Sequence, residues 1–126
     1  MHMLSTDQAP AAVGPYSQAV QANGFIFVSG QLGLVSHTGA FAGPDFEAQA
    51  RQALANMGAI LRSAHCAITD IVSVDVFVTD LANFAVFNSL YAEFMQGHCP
   101  ARAAVQVAAL PLGGLVEIKC IAVALA

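Results

Sequence analysis

Leu115-Val116-Glu117-Ile118-Lys119-Cys120-Ile121-Ala122-Val123-Ala124-Leu125 is the stretch on which the fold turns. Alternate residues of a strand face opposite sides of its sheet. One side here carries Leu115, Ile121, Val123 and Leu125; the other carries Val116, Ile118, Cys120 and Ala122. A strand that is apolar on both sides belongs to a sheet whose two faces are both kept dry.

The neighbouring segments supply cover for one face only. Before this strand, Leu110–Gly114 holds Pro111 and the Gly113-Gly114 pair and reads as a turn. Arg102–Ala109 reads as another strand. A helix is expected over roughly Asn83–Gln96, with Phe84, Phe87, Tyr91 and Phe94 as its apolar stripe, widened by Leu90. Ile71–Thr79 alternates as a strand, Val72, Val74, Val76 and Val78 pointing one way and Ser73, Asp75, Phe77 and Thr79 the other. A second helix begins after Asp45 and runs to about His65, its apolar residues three or four apart from Phe46 to Ala64. His37–Pro44 is a turn-rich loop. Ser17–Ala22 and Phe25–Gly30 flank Asn23-Gly24, a hairpin signal because both turn positions need positive φ.

The order ββ-α-β-α-ββ predicts one α+β domain over residues 1–126, a mixed β-sheet with two helices on one face. The other face needs a dry partner, and further copies of the same chain are the economical one.

Composition agrees. Hydrophobic residues make up 57% of the chain and charged residues 10%, against about 25% charged in a typical soluble domain. No uninterrupted apolar run of about 18 residues occurs, so no membrane span is expected. Net charge is −4 without a basic stripe, which argues against nucleic acid as the main partner. The three cysteines, Cys66, Cys99 and Cys120, show no C-x-x-C spacing and no leader precedes them. They read as reduced thiols of a cytoplasmic protein. His2, His37, His65 and His98 are scattered without the spacing of zinc ligands.

Against that apolar background, Arg102 stands out in Pro100-Ala101-Arg102-Ala103-Ala104-Val105. The segment reads as buried strand, and a guanidinium is always charged, with five donors in a rigid fork. It calls for an anion. Glu117 or Glu93 could supply one within the chain; a ligand carboxylate or phosphate is the alternative. Glu117 likewise interrupts an apolar strand, with Lys119 two residues on as its simplest partner.

Several motifs in order, Gly14-Pro15-Tyr16-Ser17, Phe27-Val28-Ser29-Gly30-Gln31, Val76-Phe77-Val78-Thr79-Asp80-Leu81, Phe87-Asn88-Ser89-Leu90-Tyr91, Pro100-Ala101-Arg102 and Val116-Glu117-Ile118, resemble the RidA family, also called YjgF. The resemblance runs from about Ser5 to Val123. It implies a chorismate-mutase-like α+β fold, a homotrimer with ligand sites between subunits, and no metal or organic cofactor. It implies a deaminase of 2-imino acids and their enamine tautomers, such as 2-aminoacrylate, giving 2-keto acids and ammonia. Two other activities compete: a non-catalytic trimer that binds 2-keto acids, and an endoribonuclease.

Carried over by position, Arg102 anchors the substrate carboxylate and Glu117 holds and activates a water. Tyr16 and Ser29 orient substrate or water. Gly30 and Ala104 allow backbone N–H groups to approach closely, and Asn88 is a polar lining. For Tyr16, Ser29 and Asn88 the competing readings are a turn aromatic and two side chains that bridge backbone. Many family members carry a cysteine where Ala104 stands, which disfavours a thiol nucleophile here.

One spacing resists a simple site. If the last two strands form a hairpin about Pro111–Gly113, Arg102 faces residue 122. Glu117 then lies five positions away, roughly 17 Å. Either the strands have other neighbours, or two subunits contribute.

Overall fold

The computed structural model describes residues 1–124. Its elements in chain order are β1 (His2–Leu4), β2 (Ala19–Ala22), β3 (Phe25–Leu32), α1 (Phe46–Ser63), β4 (Ile71–Val78), α2 (Phe84–Met95), β5 (Ala101–Gln106) and β6 (Val116–Val123). They build one six-stranded mixed sheet in the order β1-β2-β3-β6-β4-β5. β4 and β5 are parallel; the other adjacent pairs are antiparallel.

The local signals act as expected. Asn23 and Gly24 have φ of 51° and 80° and close the β2–β3 hairpin. The Asp45 carboxylate caps α1, accepting from the Ala48 N–H at 3.1 Å. α2 stops at Gln96, which turns left-handed with φ 50°.

Connectivity explains the one-sided helices. A strand, a helix and a parallel strand cross over with right-handed chirality almost without exception. The chain makes two such crossovers in the same direction along the sheet, from β3 through α1 to β4 and from β4 through α2 to β5. Both helices therefore land on one face. Ile26, Val28, Val74, Val76, Val78, Val116, Ile118, Cys120 and Ala122 point into that layer and are buried. Phe87, Met57 and Ile60 fill it from above, and Phe46 meets Phe87 edge-on at 6.5 Å between ring centroids. The opposite face is bare: Phe25 and Phe27 are exposed on it, beside partly exposed Ile121 and Val123.

Several expectations are corrected. β5 and β6 are not a hairpin, because β4 lies between them and pairs with both. The link from β5 to β6 is a connection across β4, not a turn between neighbours. β5 is therefore an edge strand, not a buried one, and Arg102 is exposed in the single chain. A register shift between Ile71 and Ser73 makes Ile71 the buried residue and leaves Val72 exposed. β1, which no pattern announced, adds an edge to β2. β2 is shorter than expected, and β3 continues past Gly30 to Leu32. The expected end of the last strand, Leu125, lies outside the described residues.

Candidate active site

The expected site residues fall into two groups on opposite faces of the sheet. Tyr16, Ser29, Gly30 and Glu117 meet on the bare face. They line a cleft of about 660 Å³, together with Lys119 and Phe77.

A bulge shapes this cleft. Val28 pairs with Cys120 and Gln31 with Ile118, so Ser29 and Gly30 together oppose the single residue Lys119. The Ser29 N–H donates to the Gln18 carbonyl at 2.9 Å, and its hydroxyl donates to the Ser17 carbonyl at 2.6 Å. Ser29 thereby ties the bulge to the segment that carries Tyr16. Gly30 is required for another reason. A Cβ at this position would stand 2.8 Å from Cδ of Glu117 and 3.1 Å from both carboxylate oxygens. The carboxylate lies on the glycine backbone, in space that any other residue would take.

Glu117 is half-buried there. Burial pushes its carboxyl above the ordinary carboxylate range, and the Lys119 ammonium pulls it partly back. Lys119 exerts this effect without an ion pair: among the described residues no carboxylate lies within 4.0 Å of it. The cleft thus holds a basic carboxylate with free acceptor capacity.

The second group sits under α2. Arg102 pairs with Val74 across β4–β5, so its side chain leaves the sheet on the helix face. Its Nη1 donates to Oδ1 of Asn88 at 2.9 Å. Its guanidinium carbon lies 5.4 Å from the Phe84 ring centroid and 4.9 Å from that of Tyr91. Neither proposed intramolecular anion is used. Glu93 pairs instead with Arg51, at 3.6 Å, and no carboxylate reaches Arg102 among the described residues. Ala104 points the same way and packs against the core.

Glu117 pairs with Phe77, while Arg102 pairs with Val74. The two are separated by two strand spacings, about 10 Å, and by about 10 Å along the strands. They also lie on opposite faces, so no small ligand touches both within one chain.

Lys119, Phe84 and Tyr91 were missed as site residues. Phe84 and Tyr91 lie four residues before and three after Asn88, on the same helix face. That spacing was readable, but it also fits core packing. Lys119 reads simply as a partner for Glu117. Among the described residues no three His, Cys, Asp or Glu side chains gather as metal ligands.

A sheet with helices on one face and a carboxylate-bearing cleft on the other makes this a small α+β domain. Residues 6–124 match the family described as Endoribonuclease L-PSP. The chain belongs to this family, that of the RidA and YjgF proteins. It is 47% identical over 121 residues to the 2-iminobutanoate/2-iminopropanoate deaminase of Mus musculus, covering 96% of this chain and 90% of that protein. It is 46% identical to Reactive Intermediate Deaminase A, chloroplastic, of Arabidopsis thaliana; the match takes 95% of this chain but spans only 64% of that relative. Its fold superposes on E. coli TdcF with bound serine at a TM-score of 0.93, with 40% identity over 98% of this chain and 99% of the other.

Proposed function

We propose that this chain is a 2-iminobutanoate/2-iminopropanoate deaminase, which hydrolyses these imines and their enamine tautomers to 2-keto acids and ammonia. The site is built between copies of the chain in a homotrimer. One observation carries this reading: Arg102 and Glu117 each present unused binding capacity, yet on opposite faces of one sheet. A second chain that lays its β5 edge over the bare face joins an anion anchor to a basic carboxylate. It also covers Phe25 and Phe27, which otherwise stay in water.

The chemistry follows from the groups. A 2-imino acid carries a carboxylate beside an electrophilic C=N carbon. Arg102 receives the carboxylate through its free N–H groups and fixes the adjacent carbon in plane. Glu117 of a neighbouring chain holds a water against that carbon and takes its proton as the C–O bond forms. The proton passes to nitrogen; the hydroxyl of the tetrahedral carbinolamine then yields its own proton to the amine, and the C–N bond breaks to release ammonia and leave the keto acid. A carboxyl raised by burial is a stronger base toward the water it holds than an ordinary carboxylate. Tyr16 and the Ser29–Gly30 bulge shape the water side, and Asn88 and Ala104 the carboxylate side.

RNA cleavage, the activity in the family's description, finds little support: the chain has 4 Lys+Arg against 8 Asp+Glu. Among the described residues no helix is long and apolar enough to cross a membrane. Three free thiols support a cytoplasmic compartment.

The test is kinetic. A dehydratase generates 2-aminoacrylate from serine, and semicarbazide traps what the enzyme leaves. This chain is expected to suppress the semicarbazone in proportion to its concentration, and Arg102→Ala to abolish that effect. Binding of 2-oxobutanoate without acceleration would replace the enzyme by a sensor of 2-keto acids.

A further inference from the structure

The guanidinium of Arg102 stands on an exposed edge strand, yet it is held on three sides. Phe84, Asn88 and Tyr91 follow one stripe of α2, at i, i+4 and i+7. Arg102 lies over both rings, at 5.4 and 4.9 Å, and bonds the amide between them at 2.9 Å. A long side chain on an edge strand otherwise samples many rotamers, and that freedom is lost when a ligand binds. Here it is removed beforehand.

The clamp is also selective about what it occupies. Asn88 takes one of the five guanidinium N–H groups. The rings hold the cation by cation–π attraction and supply no conventional hydrogen-bond acceptor. The remaining N–H groups lie in the guanidinium plane and have no protein acceptor among the described residues. A planar carboxylate can enter there with two parallel bonds.

Tyr91 shows which part of the aromatic side chain matters. Its hydroxyl oxygen is buried without a hydrogen-bond partner, whereas its ring meets the cation. The ring is the working part.

We propose that Tyr91 and Phe84 are positioning residues: the aromatic face of α2 pre-organises Arg102 as a planar, in-plane receptor for the substrate carboxylate. The clamp acts on ground-state recognition, not on the water. This rests on Arg102 being the carboxylate anchor, and the experiment separates the two claims.

The probe is 2-oxobutanoate, titrated calorimetrically into the intact oligomer, with KM and kcat for the generated imine read alongside. Tyr91→Leu is expected to weaken 2-oxobutanoate about fivefold to tenfold, the range of a partly desolvated cation–π contact. KM rises by a similar factor while kcat stays within about twofold. Tyr91→Phe restores affinity to within about twofold, because the ring remains. In an Arg102→Ala background, Tyr91→Leu adds no further loss, since the cation it holds is gone. Phe84→Leu follows the same pattern and serves if Tyr91→Leu does not fold. Parental affinity in both leucine variants overturns the clamp, as does an equal loss with and without Arg102. Parental affinity in Arg102→Ala alone overturns the anchor reading beneath it.

Discussion

Gly30→Ala separates chemistry from folding at a single methyl group. The new Cβ would sit 2.8 Å from Cδ of Glu117. Carbon atoms settle at about 3.5–4.0 Å, so the carboxyl must retreat by roughly 0.7–1.2 Å. The fold tolerates this, because the displaced group is the end of a side chain. Gly30 is also not among the left-handed glycines, so alanine brings no backbone strain. Catalysis does not tolerate it. A misplacement of about 1 Å costs on the order of 100-fold, or about 2.7 kcal/mol in the barrier. Competition between enzyme and semicarbazide for 2-aminoacrylate gives kcat/KM, which should fall about 100-fold with a melting temperature near the parent's. Gly33→Ala supplies the contrast. Its Cβ would run into the backbone of Gln49 in α1, which cannot step aside, so this variant should lose stability first. Parental kcat/KM in Gly30→Ala would refute the placement of Glu117 over the bulge. A loss of activity matched by the melting drop of Gly33→Ala would refute it equally.

Two further outcomes follow from the charges and thiols. Lys119 holds the Glu117 carboxyl below the level burial alone would give it, so Lys119→Met should raise it further. Glu117 then stays protonated to a higher pH, and the acid limb of kcat/KM moves upward; an unmoved or lowered limb contradicts the pairing. Native labelling with a water-soluble alkylating reagent should reach Cys99 alone. Cys66 and Cys120 are buried, and burial pushes the Cys120 thiol up to about 12; a second thiol modified before unfolding would contradict the packing.

The sequence was legible where the determinants are local. Helical spacing located α1 and α2, and Asn23-Gly24 announced a hairpin. Strand order was not local. β6 enters between β3 and β4 by pairing with residues far away in the chain, and no periodicity records that. The parallel β4–β5 pair was within reach, since a strand, a helix and a strand already formed a crossover unit. The small residues around Arg102 read as interior because alanine fits a core and an unprotected edge alike. That ambiguity turned an exposed arginine into a buried one. The site divides in the same way. Tyr16, Ser29, Gly30 and Glu117 line one cleft, a grouping that no spacing in the sequence records. Phe84 and Tyr91 remained hidden because an aromatic stripe signals packing long before it signals a cation.

The spacing of Arg102 and Glu117, first a difficulty, becomes the most direct test. Arg102→Ala and Glu117→Gln chains, each expected to be inactive alone, are co-expressed with different tags and purified as mixed oligomers. If each site takes Arg102 from one chain and Glu117 from the next, every mixed cyclic trimer holds both groups intact at about one site in three. The account predicts imine hydrolysis at about a third of the parental rate per site. Mixed oligomers as inactive as either parent variant would mean that the two residues do not meet between chains, and the proposed site would fall.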